Sequence, residues 1–186
     1  MQPIMSNEET ALFVSFVRNC SSYLEFGSGG STYVASQYVR GPITSIDSSR
    51  TWLDRVAEAC AASGTTPELQ YVDIGATGDW GYPTDPSTEH RWPDYHTRIW
   101  SHPGAKDTDL YLVDGRFRVA CFAQITLHCR KDAIIGIHDF TSREQYHCVK
   151  EIGREIATSG DISFFLPLDA KQRATTMLQA FSTDPA

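Results

Sequence analysis

The stretch Tyr23-Leu24-Glu25-Phe26-Gly27-Ser28-Gly29-Gly30-Ser31-Thr32 decides how the chain folds. A short apolar run ends in an acid, and a glycine-rich turn follows at once. Glycines let a backbone turn tightly and come close to a ligand, and a helix starting there offers N–H groups that lack intrahelical partners. The pattern is that of a buried strand handing over to a helix across a ligand cradle. A carboxylate two residues before Gly27 repels a pyrophosphate and suits a ligand that carries positive charge.

Upstream of this junction, Ser6 and Glu9 form a capping box. Leu12, Phe13, Phe16, Val17 and Cys20 then recur at helical spacing, so residues 7–19 read as an amphipathic helix. Downstream, 32–38 reads as a helix broken by Gly41-Pro42, and 43–46 as a strand ending at Asp47. Ser48 or Ser49 caps a helix with Trp52, Leu53, Val56, Ala57 and Cys60 on one face, stopped near Gly64. A third strand, 68–72, closes at Asp73. Strands follow at 109–113, ending at Asp114-Gly115, and at 133–137, ending at His138-Asp139, with a helix over 117–129 between them. Val149, Ile152, Gly153 and Ile156 predict a further helix closed by Ser159-Gly160. A strand at 162–166 and a helix at 170–181 complete the reading.

Strand and helix alternate, and the strands are apolar enough to be buried on both faces. The predicted fold class is α/β: a doubly wound, mostly parallel sheet with helices on both faces. One strand after the fifth leaves the C-terminal edge trimmed. The whole of 1–186 reads as a single domain. Residues 74–105 form an insertion rich in Gly and Pro that also carries Trp80, Trp92 and Trp100, with only 94–100 helical. Long loops inside compact domains tend to be functional, and this one reads as an aromatic lid.

Composition narrows the partners. A net charge of −7 disfavours a nucleic-acid backbone, and Arg116, Arg118, Arg130 and Lys131 are the nearest approach to a basic patch. The five cysteines show no C-x-x-C pair and read as small buried hydrophobes in a reducing, cytoplasmic setting. Neither a membrane-spanning run nor a secretory signal is visible in the sequence.

Glu25, Asp47, Asp73, Asp114 and Asp139 all fall at or just beyond strand ends, where doubly wound sheets bind their ligands. Thr32 stands where the dinucleotide fingerprint has its third glycine. Asp47, 20 positions after Gly27, suits the two hydroxyls of a ribose. The acid beside the turn suits an ammonium and a sulfonium, the charges of S-adenosylmethionine, better than NAD.

Taken in order, Glu25-Phe26-Gly27-Ser28-Gly29-Gly30-Ser31, Asp47, Asp73-Ile74-Gly75, Leu112-Val113-Asp114-Gly115 and Ile137-His138-Asp139 resemble a class I S-adenosylmethionine-dependent methyltransferase. The resemblance implies a Rossmann-like fold in which Gly27, Ser28, Gly29 and Ser31 line the methionine part of the cofactor. It places the ribose at Asp47 and Ser48, adenine near Asp73, Ile74 and Trp80, and Glu25 and Asp114 beside the cofactor. Asp114-Gly115 also resembles the catechol-type O-methyltransferases, in which Asp114 and Asp139 would bind a divalent metal. Arg116-Phe117-Arg118 departs from that group, and a nearby arginine competes for the same carboxylates, so a metal is not favoured.

Asp114, Arg116, His138 and Asp139 are the candidates for the acceptor end. His138 titrates near neutrality and is the best general base, while Arg116 suits an anionic substrate or an ion pair with Asp114 or Asp139. His90, His96 and His102 lack metal-ligand spacing. The expected activity is methyl transfer to oxygen or nitrogen of a small molecule. The alternatives are an NAD(P)-dependent oxidoreductase and a non-catalytic cofactor-binding protein.

Overall fold

The computed structural model describes residues 1–186, and its frame is one seven-stranded sheet. The strands are β1 (Tyr23–Phe26), β2 (Ile43–Asp47), β3 (Glu68–Tyr71), β4 (Leu110–Val113), β5 (Ile134–Ile137), β6 (Gly153–Ser159) and β7 (Ile162–Pro167), in the order β3-β2-β1-β4-β5-β7-β6. β1 to β5 run parallel, and β7 lies antiparallel to both β5 and β6. The chain winds outward from β1 through β2 to β3, then returns to place β4 on the other side of β1. That reversal opens the switch point above β1 and β4, where such sheets hold ligands.

Side-chain alternation along β1 divides the core. Tyr23 faces a cluster with Ile43, Leu110, Leu112 and Phe164, covered by α1 (Asn7–Val17) and α2 (Gly30–Tyr38). Leu24 and Phe26 face the opposite cluster with Ile46, Tyr111, Val113, Ile135 and Ile137. That side is covered by α5 (Arg118–His128) and α6 (Lys171–Phe181), whereas α3 (Arg50–Ala61) packs beside β2 and β3. Each large apolar side chain buried here contributes about 1.5–3 kcal/mol of transfer free energy.

The insertion belongs mostly to this second core. It holds short 3₁₀ turns and a four-residue helix α4 (Asp94–Thr97). Trp92 and Trp100 are buried with Tyr95 and Ile99, against Phe26, Phe117 and Tyr111. The expected aromatic lid is therefore reduced to Trp80, which is 78% exposed. Its apolar neighbours wrap the sheet instead.

The C-terminal edge is not trimmed. Residues 144–151 form a 3₁₀ helix, and the segment read as the second half of a helix is the strand β6. Val149 and Ile152 are buried, but Ile156 is 38% exposed, at the register irregularity between Glu155 and Ala157. A bulged, polar strand is a normal sheet edge. Ser159 pairs with Ile162 across Gly160-Asp161, so Ser159-Gly160 is a hairpin turn and not a helix end. Gly160 has φ +55°, the left-handed conformation such two-residue turns demand. No helix is long and apolar enough to cross a membrane.

Candidate active site

Strand pairing explains the surroundings of Glu25. Register sets Glu25 opposite Ser45 on β2, and Tyr23 lies two residues back on the same face of β1. The first turn of α2 adds Ser31 and Thr32. All four hydroxyls donate to the carboxylate: Tyr23 and Ser31 at 2.7 Å, Ser45 at 2.8 Å, and Thr32 in a shorter contact. Glu25 is fully buried, and burial outweighs these bonds, pushing its pKa up to about 7.

The expected direct contact between Glu25 and a cationic ligand is thus replaced by a supporting role. Thr32 Oγ1 accepts the Gly29 N–H at 2.8 Å, and Ser45 Oγ shares a 2.6 Å bond with Ser28 Oγ. Through these two residues Glu25 shapes the glycine turn from beneath. Ser31 belongs to the same cage and points away from the crevice side of the turn.

Asp47 ends β2 and grips the turn from the side. Its Oδ2 accepts the Ser28 N–H at 3.1 Å, and its Oδ1 accepts the Ser49 N–H at 2.8 Å. Burial raises its pKa to about 6 against the pull of these bonds and of Arg116. Each oxygen of a carboxylate has two lone pairs, so both retain capacity for a hydroxyl. Trp52 Nε1 donates to the Ser28 carbonyl at 2.6 Å, fixing the other edge of the turn. Ser48 is buried beside Gly81 of the insertion.

Two close approaches set the crevice walls. Gly27, at φ +100°, lies so near the β4 loop that a Cβ there would stand 2.5 Å from the Gly115 nitrogen. The Tyr95 hydroxyl abuts Gly115 from the core side. A Cβ on Gly30 would meet the Gln2-Pro3 backbone at 2.2 Å, so the N-terminal segment crosses the start of α2. A Cβ on Gly29, by contrast, would meet only the Trp52 ring, at 3.9 Å. The open side of the turn is the side that faces Trp52.

The β3 end is looser. Asp73 accepts the Gly75 N–H at 3.0 Å and pairs with Arg91 at 3.1 Å, half-exposed. Ile74 is buried, and only its backbone faces the loop through Thr88. Trp80 sits at φ +58° on a tight arm that crosses near Ser48 and Arg116.

On the β4 and β5 side, the acids meet cations. Arg118 is 3% exposed and places Nη2 2.9 Å from Asp139 Oδ2 and 3.3 Å from Asp114 Oδ1. Arg143 adds a second contact to Asp139 Oδ2 at 2.9 Å. His138 Nδ1 lies 3.1 Å from Asp114 Oδ1 and 3.5 Å from Asp139 Oδ1, and its Nε2 lies 3.7 Å from Glu9 Oε2. Desolvation alone would lower the His138 pKa, but the hydrogen bond and charge of Asp114, with the charge of Asp139, raise it. Both ring nitrogens thus lie near carboxylates, which favours the protonated imidazole, although Nε2 has no hydrogen-bond partner. This geometry disfavours the general base expected of His138, because an imidazolium has no lone pair to offer.

Of the two readings the sequence left open for Arg116, the ion pair with Asp114 or Asp139 belongs to Arg118 instead. The i,i+4 spacing of Asp114, just after β4, and Arg118, the first residue of α5, was the available signal. Glu9, Ser45 and Thr32 were also missed; only strand register or α1 docking brings them in. His90, His96 and His102 point to separate partners, the Ser87 and Ser182 carbonyls and Glu68.

No protein-family model and no curated protein matches the chain. Among solved structures, a methyltransferase-like protein from Silicibacter pomeroyi superposes with a TM-score of 0.89 at 28% identity, over 99% of this chain and 98% of that one. The chain has the fold of the class I S-adenosylmethionine-dependent methyltransferases. More distant matches agree on that fold. A methyltransferase from Podospora anserina, solved with S-adenosylhomocysteine, gives a TM-score of 0.59 at 12% identity over 89% of this chain and 80% of that one. An S-adenosylmethionine-dependent O-methyltransferase from Thermotoga maritima gives 0.58 at 9%, over 90% and 67%.

Within this methyltransferase fold, the metal-dependent variant can be tested on the donor set. Asp114, His138 and Asp139 bring ligand atoms within 4.8 Å of one another. The Arg118 guanidinium already holds both carboxylates, and His138 is turned to them as a donor. A hard divalent cation needs oxygen ligands free of such competition, so these residues do not fit one.

Proposed function

We propose that the chain is an S-adenosylmethionine-dependent methyltransferase acting on oxygen or nitrogen of a small-molecule acceptor. One observation carries this reading: Asp47 and Ser28 are joined at 3.1 Å beside the open side of Gly29, at the switch-point end of β1 and β2. Asp47 keeps lone pairs for both ribose hydroxyls, and the Gly27–Gly29 backbone with Ser48 lines the approach. The cofactor's sulfonium would supply an activated methyl group there.

The chain's own residues orient the reaction and exclude water. Asp114 Oδ1 is taken by His138 and Arg118, while Oδ2 forms no hydrogen bond and would be free to accept the acceptor's O–H or N–H proton. Asp73, Ile74 and Trp80 stand where adenine would lie. The acidic net charge favours a small molecule over a nucleic acid. Glu25, two residues before the turn, and Thr32, in place of the fingerprint's third glycine, weigh against NAD(P).

The test is methyl transfer from tritium-labelled S-adenosylmethionine to a panel of phenols, amines and carboxylic acids. The expected result is label in one acceptor class, lost in Asp114→Asn. Binding of NADH with no transfer to any acceptor would favour the oxidoreductase alternative.

A further inference from the structure

Arg116 is a buried cation with no carboxylate in salt-bridge contact, and Asp47 attracts it only at longer range. It is 9% exposed, forms no ion pair, and its Nε has no hydrogen-bond partner. Burial and the neighbouring charges of Arg118 and Arg143 push its pKa down. An uncompensated buried charge is strongly unfavourable, so such a group is retained where a counter-charge arrives. It stands beside the first N–H groups of α5, an eleven-residue helix whose dipole also favours negative charge.

Residues 185 and 186 cover this point with backbone oxygens. The Pro185 carbonyl accepts the Phe117 N–H at 3.5 Å and Arg116 Nη1 at 3.5 Å, and the Ala186 carbonyl accepts the Arg118 N–H at 3.1 Å. Asp184 Oδ1 accepts the Ala186 N–H at 3.0 Å, which keeps the segment turned. The first two bonds are long for N–H···O. On the opposite side, the insertion arm brings Gly81 near Arg116 Cγ and sets the Tyr82 ring 5.9 Å from the guanidinium.

We infer that Arg116 and the N-terminus of α5 form a subsite for a carboxylate on the acceptor, and that residues 184–186 strap this subsite until the acceptor displaces them. That the anion belongs to the acceptor rests on the methyltransferase reading, because Arg116 lies two residues from Asp114 on the same rim. Two acceptor oxygens already sit against the donors, which matches the two oxygens of a carboxylate. The nearby Asp47 carboxylate repels a dianion more than a monoanion, so a phosphate monoester is the poorer fit.

The experiment titrates benzoate, with phenyl phosphate and neutral benzamide alongside, into the full chain, a chain ending at Thr183, and Arg116→Gln. Benzoate is expected to bind the shortened chain at least tenfold more tightly than the full chain. It should bind Arg116→Gln at least tenfold more weakly than wild type, and benzamide should bind none of them. Equal benzoate affinity in full and shortened chains overturns the strap, and equal affinity in wild type and Arg116→Gln overturns the subsite. Tighter binding of phenyl phosphate overturns the carboxylate assignment. If the shortened chain does not fold, the melting temperature of the full chain decides: benzoate must raise it in wild type and not in Arg116→Gln. S-adenosylhomocysteine titrated into wild type separates the two ideas. Anion binding without it sinks only the acceptor assignment, and its binding without anion binding sinks only the subsite.

Discussion

The two halves of the carboxyl rim handle buried acids in opposite ways. Around β1 and β2, Glu25 and Asp47 are met by neutral hydroxyls and backbone N–H groups, and burial raises their pKa values to about 7 and about 6. Around β4 and β5, Asp114 and Asp139 are met by Arg118, Arg143 and His138, which cancel their negative charge. The first half holds its acids with neutral partners, and the second ties its acids to cations that compete with a metal. The same residue type, at the same kind of strand end, stays without a salt bridge in one place and is a structural tie in the other.

The sharpest way to break this contrast is to remove the cation. Arg118→Ala leaves Asp114 with His138 alone and Asp139 with Arg143 and His138, and urea unfolding should show a loss of about 3 kcal/mol. An unchanged midpoint would mean that the charged network is ornamental. The hydroxyl side is expected to respond less. Glu25→Gln keeps the shape but removes acceptor capacity, and should cost about 1–2 kcal/mol near pH 5. An acid whose pKa rises on folding, here from 4.5 to about 7, holds more protons when folded. Its stability contribution therefore declines as pH climbs through that window, and the gap between wild type and Glu25→Gln should narrow by pH 8.

His138 carries the opposite sign. Its pKa is raised above 6.5, so its stabilisation is complete below 6.5 and is lost as pH rises through the folded value. Wild type minus His138→Gln, followed by thermal melts, should be greatest near pH 6 and shrink by pH 9. A flat difference would show that His138 is not charged. The smallest stability effect is expected at Trp80, whose exposed ring should be worth less than about 0.5 kcal/mol on conversion to Ala. Its loss should appear as weaker S-adenosylhomocysteine binding, measured by calorimetry.

Local signals carried the parallel half of the molecule. The boundaries of β1 and the cap at Ser6 follow from a few adjacent residues, and the structure keeps them. β6 was illegible because buried Val149 and Ile152, followed by Ile156, mimic one helical face while lying in two different elements. The Gly160-Asp161 pair, a hairpin signal, was the clue that competed with that period. The Glu25 cage was hidden for another reason. Ser45 is 20 positions away and becomes a neighbour only through strand register. Arg118 differs from Arg116 by two positions, yet Arg118 opens α5 and reaches Asp139 after β5, while Arg116 precedes the left-handed N-cap Phe117 and acts on Asp47.

The contrast between an uncancelled acid and a cancelled one is tested most directly by titrating S-adenosylhomocysteine into wild type, Asp47→Ala and Asp139→Asn. The account predicts binding to wild type that weakens at least tenfold in Asp47→Ala, weakens as pH falls below about 6 where Asp47 takes up a proton, and survives in Asp139→Asn. Equal affinity in wild type and Asp47→Ala, or no binding to wild type at all, would contradict it.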